Sequence, residues 1–369
     1  MTPDVIFYIS GHGFGHASRE VEIINALGRA RPDLRLVIRS AVSPGLLART
    51  ITVPYDLRPG PCDSGIVQSS SVTHDDEETV QSAIEYFGAW TSHVEAEIRD
   101  LGGRRPAVLV GDIPPIAFEL GARIDVPSIA ISNFTWDWIY ETHPGMTEAA
   151  PWLLPLIRDA YGKASQALEL PFSGGFDVFP RRQSLPLVAR HPTRTRADTR
   201  AHFGLPQDRP AVLLSFGGYG LPELNLNDVD CLDAWTVVTT DRITPQGPPV
   251  PPGVAYVVES AFVGSGFRYE DLVAAADVVL TKPGYGIVAE CVATGTAMLY
   301  TSRGHFREYD VLVEGLQRFA RSRFLPQADL FAGRWREALD ALMRLPLPTE
   351  RMATDGAEVA ARLISDAAR

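Results

Sequence analysis

The chain of 369 residues contains few cysteines and no long apolar run. Its three cysteines, Cys62, Cys231 and Cys291, are far apart and odd in number, which argues against a disulfide framework or a cysteine-held metal and favours a reducing compartment. No segment approaches the roughly 20 apolar residues of a membrane span. The first apolar run, Val5–Ile9, lacks the length and the basic flank of a signal peptide. We therefore expect a cytoplasmic protein without an integral membrane segment.

Basic residues are scarce relative to acidic ones. There are 34 lysines and arginines against 45 aspartates and glutamates, and the net charge of -11 argues against nucleic-acid binding through broad phosphate neutralisation. Small anionic ligands remain compatible with this charge, because backbone amides and a few local cations can hold them. The length exceeds that of one ordinary domain, so we expect two domains.

Short apolar runs alternate with helical patterns in both halves of the chain, which predicts βαβ units and parallel sheets. The predicted strands are Val5–Ile9, Arg35–Arg39, Ala107–Val110, Ser128–Ser132, Ala211–Ser215, Thr236–Thr239, Ala255–Val258, Val278–Thr281 and Ala297–Tyr300. Predicted helices include Ser18–Arg29 and a long one over residues 76–101. We place a first Rossmann-like domain at 1–190, a second at 191–348 and a helix that crosses back to the first domain at 349–369. Residues 185–209, rich in proline, arginine and threonine, predict a solvated linker.

The loop Gly11-His-Gly-Phe-Gly-His16 follows the first strand, where ligands bind in open parallel sheets. It differs from a dinucleotide fingerprint, because His16 replaces the third glycine and the second strand ends in Arg39-Ser40 rather than an acid. A glycine-rich loop ending in Gly-Lys-Ser/Thr does not occur, which excludes the common nucleoside-triphosphatase type. His16 could accept a proton from a hydroxyl nucleophile, with Asp112 after another strand as its partner. The alternative is that His16 only caps the helix, while His12 supports the loop.

Two loops of the second half also follow strands. Lys282-Pro-Gly-Tyr-Gly286 opens a helix whose free amides suit a diphosphate, and Ser215-Phe-Gly-Gly218 supplies further amides toward the same crevice. Glu290, one turn into that helix, could accept hydrogen bonds from both ribose hydroxyls. The alternative interpretation is two tight turns with packing glycines.

Two acidic segments and one aromatic segment have competing interpretations. Asp228-Val-Asp230 spells an Asp-x-Asp motif that can hold a divalent metal, but its polar context favours a surface position. Asp75-Asp-Glu-Glu78 lies where a helix begins, so capping is favoured over metal binding. The rings of 133–140 could stack on sugars or pack a helix onto the sheet. We predict no metal and no cofactor.

The loops resemble motifs of nucleotide-sugar glycosyltransferases. Thr281-Lys-Pro-Gly-Tyr-Gly-Ile-Val-Ala-Glu290 resembles the family 1 signature Thr-His-Cys-Gly-Trp-Asn-Ser-x-x-Glu and is similar to the Gly-x-x-x-x-x-Glu loop of the family 28 GlcNAc transferases. Ser215-Phe-Gly-Gly218 matches their Ser-Phe-Gly-Ser loop, and Gly15-His16 matches the Gly-His of their first loop.

Nearly the whole chain resembles the glycosyltransferase-like N-terminal half of L-arabinokinases. The shared segments are Ile9-Ser-Gly-His-Gly-Phe-Gly-His-Ala17, Asn133-Phe-Thr-Trp-Asp-Trp-Ile-Tyr140 and Lys282-x-Gly-Tyr-Gly286. The sugar-kinase loop Pro-x-x-x-Gly-Leu-Ser-Ser does not occur, so kinase activity is not implied.

These resemblances imply an α/β protein of the GT-B class, with two Rossmann-like, doubly wound parallel-sheet domains facing a central cleft. They imply that His16 is the acceptor-activating base and Asp112 its orienting acid. We assign the donor side to Gly15, Gly217, Gly218, Lys282, Gly284, Tyr285, Gly286, Glu290, Arg307 and Glu308. We assign the acceptor side to His12, Phe14, Asn133, Trp136 and Asp137.

The chain departs from family 1 at two places. The tryptophan that stacks on uracil is missing, and Phe262 or Phe267 could replace it. The Asp-Gln pair that holds the donor sugar is also missing, with Arg307 and Glu308 one residue out of step. We expect transfer of a sugar, with inversion, from a nucleoside diphosphate, UDP being favoured, to a small-molecule acceptor. The alternatives are a nucleotide-sugar-binding module with little catalysis, and a sugar-nucleotide epimerase or hydrolase. The sequence predicts neither the acceptor nor the oligomeric state.

Overall fold

The computed structural model describes residues 3–70, 72–217, 220–221, 223–240, 251–304 and 306–369. The first of its two sheets consists of β1 (Asp4–Ile9), β2 (Arg35–Ser40), β3 (Asp56–Pro59), β4 (Val108–Asp112), β5 (Ser128–Phe134), β6 (Gln166–Gly174) and β7 (Arg182–Ser184). These strands pair in parallel in the order β3-β2-β1-β4-β5-β6-β7.

The second sheet is built on the same plan. Its strands are β8 (Ala211–Ser215), β9 (Thr236–Thr239), β10 (Val254–Tyr256), β11 (Val278–Thr281), β12 (Ala297–Tyr300) and β13 (Ser322–Phe324). They are parallel in the order β10-β9-β8-β11-β12-β13. In both sheets the strand order reverses between the first strand and its neighbour, β4 or β11. Loops that follow these four strands therefore lie at the positions where doubly wound sheets bind ligands.

Helices cover the strands. Those of the first half are α1 (Gly13–Ala30), α2 (Pro44–Thr50), α3 (Asp76–Gly88), α4 (Trp90–Leu101), α5 (Ile116–Ile124), α6 (Trp136–Glu141), α7 (Met146–Ala149) and α8 (Leu153–Gly162). Those that follow are α9 (Arg196–His202), α10 (Tyr269–Ala275), α11 (Tyr285–Thr294), α12 (Glu308–Phe319), α13 (Gln327–Phe331), α14 (Arg336–Arg344) and α15 (Gly356–Ala367). Among the described helices, none has the length and apolar character needed to cross a membrane.

Strand β1 shows why the central strands are continuously apolar. Val5, Phe7 and Ile9 belong to one core cluster, which includes residues of α1 and α15, whereas Ile6 and Tyr8 belong to another on the opposite face. A parallel strand covered on both faces needs apolar side chains on both. Two Rossmann-like parallel-sheet domains, as the sequence predicts, are confirmed.

The last helix packs across the first. α15 contacts α1, and Arg31 Nη1 donates to Ser365 Oγ over 3.0 Å. Ala360 and Ile364 are fully buried in the same cluster as Val5. The helix is shorter than the predicted segment 349–369, because residues 346–354 are not helical.

Several predicted elements differ from the structure. The long helix over 76–101 is two helices separated at Ala89, and β3, β6, β7 and β13 were not predicted from the sequence. The prediction of a solvated linker at 185–209 is wrong in part. This segment contains α9. Arg200 is only 1% exposed, and its guanidinium donates to Ala275 O and to the Asp277 carboxylate.

Candidate active site

His16 and Asp112 meet at the carboxyl end of the first sheet. His16 lies in the first turn of α1, directly after β1, and Asp112 is the last residue of β4. Because Ile9 pairs with Asp112 in the β1–β4 ladder, the carboxylate reaches the loop that carries His16. His16 Nδ1 lies 2.9 Å from Asp112 Oδ1, and both side chains are buried. This contact leaves Nε2 as the ring nitrogen available to another molecule.

Arg19, one turn beyond His16 on α1, also binds Asp112. Its Nε donates to Asp112 Oδ2 over 2.6 Å, and its Nη2 contacts Asp112 Oδ1. Burial alone would raise the pKa of Asp112, but the charge of Arg19 and the hydrogen bonds from His16 and Arg19 hold that pKa below its ordinary value. Asp112 is therefore an ionised carboxylate shared by two partners.

A polar chain continues from Arg19 into the second half of the molecule. Arg19 Nη1 donates to Asn133 Oδ1 over 2.6 Å, and Asn133 Nδ2 donates to Glu308 Oε1 over 2.9 Å. Glu308 is the first residue of α12, and its Oε2 accepts a hydrogen bond from Arg303 Nη1 over 3.2 Å. Asn133 and Glu308 are both buried. The predicted acceptor residue Asn133 and the predicted donor residue Glu308 thus touch each other.

Aromatic rings surround His16. The ring of Phe134 lies edge-on at 5.3 Å between centroids, and that of Trp136 lies at 6.2 Å. Trp136 is fully buried, stacks on Tyr140 and donates from Nε1 to Asp63 Oδ2 over 2.8 Å. These contacts favour the packing interpretation of Trp136 over direct stacking on a ligand.

Among the described residues, no side chain caps the N-terminus of α11. Gly284 is the N-cap residue without a side-chain hydrogen bond, and the first turn has no acidic residue. By contrast, α3 begins with Asp75 accepting from Glu78 N–H, as predicted for that acidic run, and has three acids in its first turn. The uncapped amides of α11 are therefore available to an anion.

Basic side chains from both halves gather beside these amides. Lys282 Nζ lies 3.5 Å from Gln68 Oε1, while Arg303 stacks over the Phe306 ring at 4.2 Å and donates to Pro283 O over 3.1 Å. Rings of His12 and His74 lie 5.9 and 5.7 Å from that of Phe306.

These basic groups lower one another's proton affinity. Burial, reinforced by the charge of Arg303, lowers the pKa of Lys282 to about 7, and burial with Arg303 and Lys282 lowers the pKa of His74 to about 4. Burial and the neighbouring cations also hold the pKa of His12 well below its ordinary value. Arg303 Nε is buried without a hydrogen-bond partner among the described residues. Since the positive groups of this cluster disfavour one another's charged forms, a bound anion would stabilise them.

Glu290 is buried on α11 and already has one partner. Arg190 Nε donates to Glu290 Oε1 over 2.7 Å, and Arg190 Nη1 lies 3.6 Å from Glu270 Oε2. Burial raises the pKa of Glu290 to about 7 against the opposing charge of Arg190. Its Oε2 has no hydrogen-bond partner among the described residues. The interpretation of Arg190 as a solvated linker residue is therefore wrong, and one carboxylate oxygen of Glu290 stays open to a ligand.

Comparison with known proteins agrees with this architecture. No model of a known protein family matches the chain. L-arabinokinase of Arabidopsis thaliana is 26% identical over 98% of this chain, and the chain spans about a third of that protein, 34%. The UDP-N-acetylglucosamine–N-acetylmuramyl-(pentapeptide) pyrophosphoryl-undecaprenol N-acetylglucosamine transferase of Rhodococcus jostii (strain RHA1) is 29% identical over 47% of this chain and 46% of its own length. The solved glycotransferase of kitacinnamycin superposes over all of both chains with a TM-score of 0.67 and 17% identity.

The chain has the GT-B fold. The resemblance to GT-B glycosyltransferases that the loop motifs imply is confirmed. In this fold, His16 lies just beyond β1 and Asp112 ends β4 in the first sheet, whereas Lys282 lies in the loop after β11 of the second sheet.

Of four other residues predicted on the donor side, the structure describes three. Tyr285 is buried, and its ring lies 5.1 Å from the Arg19 guanidinium carbon. A Cβ on Gly15 would meet no neighbour within 4 Å, and Gly217 has a φ of +72° after β8. Gly218 lies outside the described residues.

Arg307 and Asp137 lie away from the His16 network. Arg307 Nη1 donates to Trp138 O and to Glu141 Oε2 over 2.8 and 2.9 Å. Asp137 accepts from Arg158 Nε over 2.8 Å and lines a recess of about 290 Å³ with Trp138 and Glu141. No hydrogen bond or ring contact joins either residue to His16 among the described residues. The side chain of Phe14 lies outside the described residues.

Two further segments can be placed by local contacts. Phe267 stacks on His202 of α9 at 4.1 Å, and Phe262 packs on Phe203, the residue after α9, at 5.0 Å. Asp230 is exposed and accepts from Trp335 and Arg336 N–H at the start of α14, which confirms a surface position for the Asp-x-Asp segment.

Sequence reasoning missed Arg19 and Arg303, and it interpreted Arg190 as a linker residue. Arg19 had a signal, because a residue three positions after His16 in a helix lies on the same face. Arg190 and Arg303 had none, since their partners Glu290, Glu308 and Pro283 are brought to them only by the folded chain.

Proposed function

We propose that this chain is a glycosyltransferase that moves a sugar from a nucleoside-diphosphate sugar to a hydroxyl or amine of a small-molecule acceptor, with inversion. The observation that carries the proposal is the buried His16–Asp112 pair on one sheet together with the uncapped, lysine-flanked amides of α11 on the other. The similarity to the Rhodococcus UDP-N-acetylglucosamine transferase supports UDP as the nucleotide.

The acceptor is activated by His16 in this proposal. With Nδ1 donating to Asp112, Nε2 accepts the proton as the acceptor oxygen or nitrogen attacks the anomeric carbon. The ionised Asp112 stabilises the imidazolium that forms. We place the acceptor on the N-terminal domain, residues 1–190.

The departing diphosphate is stabilised on the C-terminal domain, residues 191–348. As the bond between the anomeric carbon and the phosphate oxygen breaks, negative charge moves to the diphosphate. The amides at Gly284, Tyr285 and Gly286, with Lys282 and Arg303, supply the compensating positive charge. Because protein groups supply this charge, we expect transfer to persist in the presence of EDTA.

Glu290 is proposed to hold the ribose. Its free Oε2 can accept one ribose hydroxyl, and Oε1, oriented by Arg190, can accept the other. Glu308, held by Asn133 and Arg303, is the residue we place nearest the donor sugar.

The proposal is tested by UDP-sugar turnover and UDP binding in His16→Gln and Asp112→Asn. We expect transfer to fall by about 100- to 10,000-fold in His16→Gln, because a general base contributes that much, while the Kd of UDP stays within about threefold. Nuclear magnetic resonance of the product would show an inverted anomeric centre. Retained activity in both variants would falsify the role of the pair. UDP-sugar binding without turnover across a broad acceptor panel would instead favour a binding module. Release of free sugar or inversion at C2 would favour a hydrolase or an epimerase.

A further inference from the structure

Nη2 of Arg19 has more hydrogen-bond acceptors within reach than it has hydrogens. Nη2 lies close to Asp112 Oδ1, 2.8 Å from Ser132 Oγ and 2.8 Å from His16 Nδ1. This nitrogen has two hydrogens. It can therefore bond to only two of the three atoms at one time.

The competition at Nη2 affects His16. If Asp112 and Ser132 take both hydrogens, His16 Nδ1 carries its own hydrogen and donates it to Asp112 Oδ1 over 2.9 Å. If the planar guanidinium shifts so that one of these hydrogens points to His16 Nδ1, that nitrogen must be the acceptor, and the hydrogen of the neutral ring moves to Nε2. Only the first tautomer presents a free lone pair at Nε2.

The position of Arg19 depends on the orientation of one amide. Asn133 accepts from Arg19 through Oδ1 while Nδ2 donates to Glu308 Oε1. Glu308 is a carboxylate and can only accept, so it holds the nitrogen of Asn133 toward itself and the oxygen toward Arg19. Asn133 Nδ2 also lies 3.5 Å from Phe172 O, a longer contact that favours the same orientation. Without Glu308 only this weaker acceptor remains, so the amide can turn over more readily, and its N–H groups would then face the N–H groups of Arg19.

We propose that Arg19 is a positioning residue that sets the tautomer of His16, and that Glu308 of the second domain controls it through the Asn133 amide. The consequence for turnover depends on the proposed function, whereas the tautomer itself does not. Docking of α12 against the first domain thereby selects the base form of His16. Arg19 also lies against the Tyr285 ring of α11, so its guanidinium contacts the second domain directly as well.

The tautomer is measured by ¹⁵N nuclear magnetic resonance of the ligand-free protein labelled at its histidines, at about pH 8, above the ordinary titration range of histidine. His16→Gln identifies the two His16 signals among those of the 8 histidines. In the unaltered protein we expect a protonated Nδ1 and an unprotonated Nε2. Glu308→Ala is expected to move both signals toward the opposite tautomer.

A second variant reaches the same nitrogen from the first domain. Ser132→Ala removes an acceptor of Nη2 and frees one hydrogen for His16 Nδ1. We expect the same change of the His16 signals as in Glu308→Ala. In the transfer assay, Ser132→Ala is expected to lower kcat by about tenfold or more while the Kd of UDP changes little, because the loss concerns the base and not the donor.

The control separates amide orientation from general loosening of the domains. Glu141→Ala removes an interdomain contact to Arg307 outside the chain of bonds and should leave the His16 signals as in the unaltered protein. The proposal is overturned if Glu308→Ala and Ser132→Ala leave the tautomer unchanged. It is equally overturned if Glu141→Ala shifts the tautomer as much as Glu308→Ala.

Discussion

Ser18 and Gly286 bring the N-terminal parts of α1 and α11 into contact across the two domains. A Cβ added to Gly286 would lie 2.7 Å from Ser18 Oγ, which donates to Gly15 O over 3.0 Å. Glycine at 286 is therefore needed for close approach and not for an unusual backbone angle. This contact places the uncapped amides of α11 near the loop that carries His16.

The first prediction follows from that contact. Gly286→Ala should push Ser18 Oγ out of its bond to Gly15 or separate the two helices, and overpacking of this kind costs about 1–3 kcal/mol. We expect kcat/KM for the UDP-sugar to fall by about tenfold. Ser18→Ala combined with Gly286→Ala is the matched control. The two Cβ atoms would then be 3.7 Å apart, an ordinary contact, and activity should recover. Equal losses in the single and double variants would contradict the contact.

Lys282 leads to a prediction about protons. Its pKa is lowered to about 7 by burial and by Arg303, so above that pH a growing fraction of the free protein has a neutral lysine. A bound diphosphate favours the charged form and should raise the pKa. UDP binding at about pH 8 should therefore take up a proton, and affinity should fall as pH rises further.

Calorimetry of UDP binding in two buffers of different ionisation enthalpy measures the uptake. Lys282→Met should abolish most of it, since this substitution removes the titrating group but keeps the apolar stem. Arg303→Met should reduce the uptake near pH 8, because loss of the neighbouring cation raises the pKa of Lys282 in the free protein. Identical heats in both buffers for the unaltered protein would refute the assignment of Lys282 to the diphosphate.

The parts of the site that sequence reasoning found share one property. Asp112 ends a central strand, Lys282 follows one directly, and His16 lies in the first turn of the helix after another; these strands are recognisable because both their faces are buried. Parallel strands place their carboxyl ends at one edge, so the side chains there can be grouped without knowing the fold in detail.

The parts that were missed depend on pairings between distant segments. Arg190 and Glu290 are 100 residues apart in the sequence, and Asn133 and Glu308 are 175 apart, so only the folded chain brings each pair together. The strands that were missed include short outer ones such as β7 and β13, where partial exposure weakens the apolar pattern. Local composition indicated neither feature.

The proposed contact between Glu290 and the ribose can be tested by comparing the binding of UDP and 2′-deoxy-UDP. If its carboxylate accepts both ribose hydroxyls, 2′-deoxy-UDP should bind the unaltered protein about tenfold more weakly than UDP, whereas Glu290→Gln should bind both with similar, weaker affinity. Burial raises the pKa of Glu290 to about 7, so UDP affinity should also fall as pH drops below that value and the carboxylate is protonated.

Glu22→Gln is the matched control for Glu290. The charges of Glu22 and Glu290 both act on Arg190, but Glu22 lies on α1, outside the proposed ribose site. Its replacement should leave the ratio of UDP to 2′-deoxy-UDP affinity unchanged. A ratio near one in the unaltered protein would show that the Arg190–Glu290 pair is structural only.

Glu20 leads to a prediction about stability. It is fully buried on α1, and neither carboxyl oxygen has a hydrogen-bond partner among the described residues. Burial, with the charge of Asp112, holds its pKa well above the ordinary value, so the native protein keeps a proton that the unfolded chain releases above about pH 4.3. The free energy of unfolding contributed by Glu20 is therefore fully present below that pH and is lost as pH rises toward the native pKa.

Glu20→Gln removes this titration and should raise Tm by about 2 °C or more at pH 8, with a smaller gain at pH 5. The exposed Glu85→Gln should leave Tm unchanged at both pH values. A gain for Glu20→Gln that is equal at the two pH values would show that the carboxyl group is not a buried, protonated acid.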